Sequence, residues 1–162
     1  MVASKKSKIN GNKPGMVQDA MQILKLDHKL VASLFQDYEI TSSVSRKRKL
    51  VEQICKELTI HAQVEEEIFY PAVQTALQDH ELVPEAIVEH ASLKSLIAAI
   101  KDIEPDGDMY DAKVKVLNEY VKHHVKEEEK EMFPDAKETE LDMKELGLKI
   151  LERKQQLSNE YV

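Results

Sequence analysis

A chain of 162 residues, 42% hydrophobic and 33% charged, is sized for one domain with a buried core and a solvated surface. Its net charge of −7 argues against a general binder of nucleic acid or anionic membranes, and the single cysteine, Cys55, excludes an intrachain disulfide. Four Gly, five Pro and no Trp, among long Leu/Ile/Val/Lys/Glu stretches, predict an all-α chain with short loops.

No stretch has the apolar core of a signal peptide or the length of a membrane span, so the cytoplasm is the expected compartment. Residues 1–15 carry Lys5, Lys6, Lys8 and Lys13 among Ser, Asn and Gly without apolar spacing, which reads as a flexible, disordered basic tail. The folded unit is expected over residues 16–158.

A first helix is predicted from Met16 to Glu39, with a stripe of Val17, Ala20, Leu24, His28, Val31, Phe35 and Tyr38. The second runs from Arg46 to Phe69 behind a Ser/Thr cap region, on a stripe of Leu50, Ile54, Leu58, His61, Glu65 and Phe69. An ionised Glu facing a core is costly unless it is paired or bound to a metal. Cys55, beside Ile54 and Leu58, reads as a small buried residue. Tyr70-Pro71 is expected to break or bend this helix, with a short helical turn beyond it, and His80 to lie on the surface.

The third helix is predicted from Leu82 to Ile103, on Val83, Ile87, His90, Leu93, Ile97 and Ile100. A fourth, from Met109 to Phe133, ends at Pro134 and carries Tyr110, Val114, Leu117, Val121, His124, Glu128 and Met132. Two His-Glu pairs at a spacing of four compete here. His124 and Glu128 continue the apolar row, whereas His123 and Glu127 belong to the flanking row of Val116 and Tyr120. A final helix from Thr139 to Leu157, with Leu141, Leu148 and Leu151 around Gly147, offers no persuasive ligand. It is expected to cap or flank the bundle or to mediate self-association.

The halves repeat. His61, Glu65 and Pro71 recur 63 positions later as His124, Glu128 and Pro134, and Leu26-Asp27-His28 recurs 62 positions later as Val88-Glu89-His90. Each half is a helical pair with one His on its first helix and His-x-x-x-Glu on its second. The fold expected is an antiparallel up-down-up-down four-helix bundle with an additional C-terminal helix. Four imidazoles and two carboxylates then converge where water is scarce, enough for two metal ions bridged by both carboxylates. Mixed nitrogen and oxygen ligation suits Fe, Mn or Zn and disfavours Ca and Mg.

The segments LDHKL, HAQVEEEIFYP, VEHASL and HHVKEEEKEMFP, with the tail ELDMKELGLKILERKQQL, resemble the hemerythrin-like HHE cation-binding family over residues 16–158. The resemblance implies non-haem iron, two ions per chain with a bridging oxo or hydroxo group, held by His28, His61, Glu65, His90, His124 and Glu128. Manganese or zinc stays open. Oxygen-carrying hemerythrins have a second His four residues away on the third helix and a closing His-x-x-x-x-Asp. Here His90 has no such companion and the second pair is His-x-x-x-Glu, which implies an extra open position and easier redox reactions than in a reversible carrier. The cysteine-bearing N-terminal segment usual in iron-centre-repair relatives is not seen.

The expected function is binding of dioxygen or related small oxygen and nitrogen species, such as peroxide or nitric oxide, for sensing, scavenging or iron handling. One rival is a di-iron enzyme consuming peroxide or nitric oxide, with Tyr38, Tyr70, Tyr110 or Tyr120 as hydrogen-bond donors near the metals. Another is an interaction bundle with a vestigial site. Neither nucleic acid nor membrane is an expected partner.

Overall fold

A computed structural model describes residues 18–105 and 107–161, all helix and connecting turns. The proposed basic tail lies outside the described residues. Helix α1 (Ala20–Ile40) is closed at its start by a reciprocal capping box between Asp19 and Gln22. Helix α2 (Val44–Val64) begins on a Ser43 cap and passes through one wide π-turn (Glu65–Phe69) into α3 (Tyr70–Leu77). The short link contains Asp79, whose carboxylate accepts from the backbone N–H groups of Leu82 and Val83 at the start of α4 (Leu82–Lys101). Helix α5 (Asp108–Glu127) likewise runs through a π-turn (Glu128–Met132) into α6 (Phe133–Lys137), and α7 (Met143–Glu160) follows an Asp142 cap.

Helices α1, α2, α4 and α5 form the antiparallel four-helix bundle, with α1 on α2 and α5, and α4 on α5 and α2. Helix α7 lies along α1 and α2 as the additional helix. Among the described residues no helix is long and apolar enough to cross a membrane.

Neither proline ends its helix: the helical turn expected beyond Pro71 is present as α3, whereas the stop expected at Pro134 is not there. A proline lacks the N–H that an α-helix needs and its ring crowds the carbonyl four residues back. Both prolines here follow a turn widened to five residues, in which Tyr70 N–H donates to the Glu65 carbonyl and Phe133 N–H to the Glu128 carbonyl. The widened turn absorbs the clash, so helix resumes beyond each proline.

Two apolar clusters fill the bundle. One gathers Ala20, Leu24, Val64, Phe69, Val73 and Ile150 at the π-turn end, and the other gathers Val31, Ile54, Leu58, Ile97, Leu117 and Val121 towards the opposite end. Cys55 belongs to the second, and burial pushes its thiol up to about 11, as expected of an inert packing residue. His80 is exposed. One expected position differs: Ile87 is exposed while Ala86 is buried. Leu148 and Leu151 of α7 are exposed, and Leu146, Gly147, Ile150 and Leu157 make its buried face.

Candidate metal centre

All six polar residues singled out on the apolar stripes are buried, and they meet near the bundle axis among the two clusters' helices. Helix α1 contributes His28, α2 His61, α4 His90 and α5 His124, while Glu65 and Glu128 open the two π-turns. Their donor atoms fall into two overlapping groups: His28, His61, Glu65 and Glu128 form one, and Glu65, His90 and His124 the other. Glu65 is common to both. Glu128 also spans them, with Oε1 3.2 Å from His28 Nε2 and Oε2 3.4 Å from His124 Nε2.

The Nδ1 atoms face carboxylates in a pattern that obeys the repeat. His61 Nδ1–H donates to Asp27 at 2.9 Å, and His124 Nδ1–H donates to Glu89 at 3.0 Å. Asp27 and Glu89 are the residues that precede the repeated histidines. His28 Nδ1 lies 3.4 Å from Glu129, and His90 Nδ1 lies 3.5 Å from Glu66 without a formal hydrogen bond. An ionised carboxylate only accepts, so each such bond fixes the proton on Nδ1 and turns the Nε2 lone pair inward. These Nε2 atoms come close in pairs, with 3.2 Å between His28 and His61 and 3.2 Å between His90 and His124.

That arrangement calls for positive charge at its centre. Two facing lone pairs repel, and two buried carboxylates share the same space, with Glu65 Oε1 against His61 Nε2 and Glu128 Oε1 3.2 Å from His28 Nε2. Burial alone would lower the histidines, yet the charges of Glu65 and Asp27 lift His61 to about 10. In the same way Glu128 and Glu89 outweigh burial and lift His124 to about 11. His90 goes the other way, to about 3, under burial and the charge of His124. Burial and the neighbouring Glu128 charge raise Glu65 to about 7. Burial opposes ionisation of Glu128 too, but bonds from Glu65, His124 and His28 hold it well below the usual carboxylate range. The protons kept on His61 and His124 stand where cations would, and the donor set of imidazole and carboxylate fits a transition metal.

Tyr70 enters this constellation from the first π-turn. Its hydroxyl donates to Glu128 Oε2 at 2.6 Å and lies 3.2 Å from His90 Nε2 and 3.3 Å from His124 Nε2. Burial and the two glutamates keep the phenol far above its ordinary pKa, so it holds its proton. At the matching position Phe133 stacks on His28 with centroids 6.1 Å apart, so the two halves of the site differ. Of the other tyrosines, Tyr38 and Tyr110 pack together in the second apolar cluster and Tyr120 is exposed.

A cavity of ≈ 20 Å³ is lined by His28, His61, His90 and His124 and by Val31, Leu58, Leu93 and Val121. That is about the room for one water-sized molecule against an apolar wall.

His123 and Glu127 lie outside, as the flanking row predicts: the His123 side chain is 62% exposed, 3.2 Å from Glu127. Elemental analysis after purification should therefore show His124→Ala losing well over half of the bound metal, and His123→Ala keeping it at equilibrium. Equal losses would mean that the wrong face had been identified.

A sequence profile of the hemerythrin HHE cation-binding domain matches residues 19–136. A DNA nickase of Nostoc sp. (strain PCC 7120) is 31% identical over 111 residues, which is 68% of this chain and 31% of that protein's length. The chain therefore spans about a third of this curated relative. A crystal structure of a hemerythrin HHE cation-binding domain-containing protein from Mycobacterium kansasii superposes with a TM-score of 0.76. It is 24% identical, and the match covers 88% of this chain and 89% of that one, a likeness of fold.

Proposed function

From the premise that the chain belongs to the hemerythrin HHE cation-binding domain family, we propose that it holds two iron ions in the bundle and binds a small oxygen or nitrogen species there. The observation that carries this reading is Glu65: it is fully buried and shared by both donor groups, with its Oε1 against His61 Nε2. One ion would take His28, His61, Glu65 and Glu128, and the other Glu65, His90 and His124. When bound, the ion pair supplies redox-active Lewis-acid chemistry suited to dioxygen, peroxide or nitric oxide.

The chain's own residues divide the remaining work. Asp27 and Glu89 orient His61 and His124 and raise their basicity as ligands. The Val31, Leu58, Leu93 and Val121 wall keeps the cavity small and apolar, which admits a diatomic and excludes larger polar substrates. Tyr70 holds a proton on its hydroxyl at the His90–His124 side, where it can donate to a bound ligand or replace one as a phenolate donor. With the one-residue-per-position asymmetry of Tyr70 and Phe133, the His90–His124 side is the reactive one.

Elemental analysis and Mössbauer spectroscopy of the purified protein test the reading. Two irons per chain with an exchange-coupled, EPR-silent ferric pair are expected. Zinc, or one magnetically isolated iron, would sink it. Steady-state turnover of peroxide or nitric oxide would then separate a catalyst from a binding or sensing protein. Tyr70→Phe should keep the iron content, yet change the visible spectrum of the ferric protein or its nitric oxide adduct and alter peroxide decay by about tenfold or more. Identical spectra and decay would leave Tyr70 as packing only. The DNA nicking named for the Nostoc protein is not part of this reading, because the matched region is 31% of that protein.

A further inference from the structure

Beside the centre, on the α4–α5 face, His123, Glu127 and Glu89 bring three donor atoms within 4.8 Å of one another. His123 Nε2 is 3.2 Å from Glu127 Oε1 and 3.4 Å from Glu89 Oε2. Glu89 is shared with the interior, since its other oxygen accepts from His124 Nδ1 at 3.0 Å. A cleft of ≈ 10 Å³ on this face has both sets of residues in its lining, Glu85, Glu89 and Glu127 together with His124, Glu128 and Met132.

The repeat shows that this cluster is not a by-product of the bundle. Sixty-three positions earlier, His123 and Glu127 correspond to Ile60 and Val64, both buried. There α7 covers the surface, and the Lys154 ammonium contacts Asp27, the counterpart of Glu89. One half of the bundle thus neutralises its histidine-orienting carboxylate with a lysine. The other half leaves Glu89 open and places an imidazole and a second carboxylate around it. A divalent cation at this position would do for Glu89 what Lys154 does for Asp27.

We propose that His123, Glu127 and Glu89 form a separate mononuclear site for a divalent first-row transition ion, which passes ions through the α4–α5 cleft to the bundle centre. One imidazole and two carboxylates select such an ion over calcium or magnesium, and the exposed face leaves its remaining positions to water. Three donors with water in the rest make a weaker, faster-exchanging site than the buried one. That is what a relay requires. The delivery role rests on the centre proposed above; the surface site does not.

The probe is cobalt(II), added to protein whose centre is already filled and whose resident metal has been measured. Equilibrium dialysis should show one cobalt(II) more per chain for the unaltered protein than for the His123→Ala, Glu127→Gln double variant. Equal binding overturns the site. Stopped-flow mixing of metal-free protein with ferrous ion should then show the double variant filling about tenfold more slowly, to the same final content. Equal rates with unequal cobalt binding overturn delivery and leave a site of another purpose. Failure of the two-iron reading shows elsewhere, in the resident metal measured at the start, and leaves the cobalt comparison intact. Both substitutions are at solvent-facing positions, and unchanged helical circular dichroism checks the fold.

Discussion

Glu65→Gln protein is expected to purify folded and almost free of metal. The side chain belongs to both donor groups, so loss of its charge weakens both together. An amide oxygen is a far poorer donor to a transition ion than a carboxylate, and Glu65 belongs to both donor groups, whereas Glu128 reaches the second through Oε2, 3.4 Å from His124 Nε2. Removing one partner of a buried charge pair usually costs about 3–5 kcal/mol. Two features offset that cost in the metal-free protein. Asp27 still faces His61, and the repulsion between Glu65 and Glu128 disappears. The melting temperature of the metal-free variant should therefore stay within a few degrees of the metal-free parent, while bound metal falls below about a tenth. Glu128→Gln is the companion. Glu65, His90 and His124 remain as a three-donor group, so about half of the metal should persist. Parental metal in Glu65→Gln would show that Glu65 does not bridge, and equal losses in the two variants would show that Glu128 bridges as fully as Glu65 does.

The six convergent residues were legible because each is a polar group on an otherwise apolar stripe and each recurs at a fixed displacement. Periodicity alone yielded the bundle and the choice of His124 over His123. Tyr70 escaped that logic for a geometric reason. In a regular helix of about 100° per residue, a side chain five positions after Glu65 points roughly 140° away from it. The π-turn carries Tyr70 round to the face of Glu65, and puts Phe133 against His28 in the same way. Proline after a run of glutamates was a visible sign of irregularity there, but a stop and a widened turn look alike in one sequence. The roles of Asp27 and Glu89 were half visible. Their repetition before His28 and His90 was noticeable, whereas their hydrogen bonds run to histidines on other helices, 34 and 35 positions away. The sequence assigned no buried face to α7, because its apolar residues lie nearly all round the helix. What orients it is Gly147, whose importance is a contact and not a pattern.

That contact makes a single added methyl group at Gly147 costly. A Cβ at Gly147 would stand 2.4 Å from the carbonyl oxygen of Gln18 and 3.1 Å from the backbone of Asp19 and Ala20. These are main-chain atoms of the capped start of α1, so no rotamer change can relieve the clash. Alanine is favoured over glycine inside a helix by about 1 kcal/mol, and overpacking a closed contact costs about 1–3 kcal/mol or more. The clash with backbone belongs at the upper end, so Gly147→Ala should destabilise by about 2 kcal/mol and lower the melting temperature by roughly 4–8 °C. The consequence extends to the centre. Ile150 and Leu157 hold α7 against the first apolar cluster, and Lys154 on the same helix contacts Asp27, which orients His61. If α7 shifts, Lys154 withdraws and His61 is held less firmly, so the variant should lose metal to a chelator faster than the parent. A Lys154→Met variant separates the two effects. It should hasten metal loss while lowering the melting temperature by less than Gly147→Ala does. Parental stability in Gly147→Ala would mean that α7 does not approach α1 as closely as this contact requires.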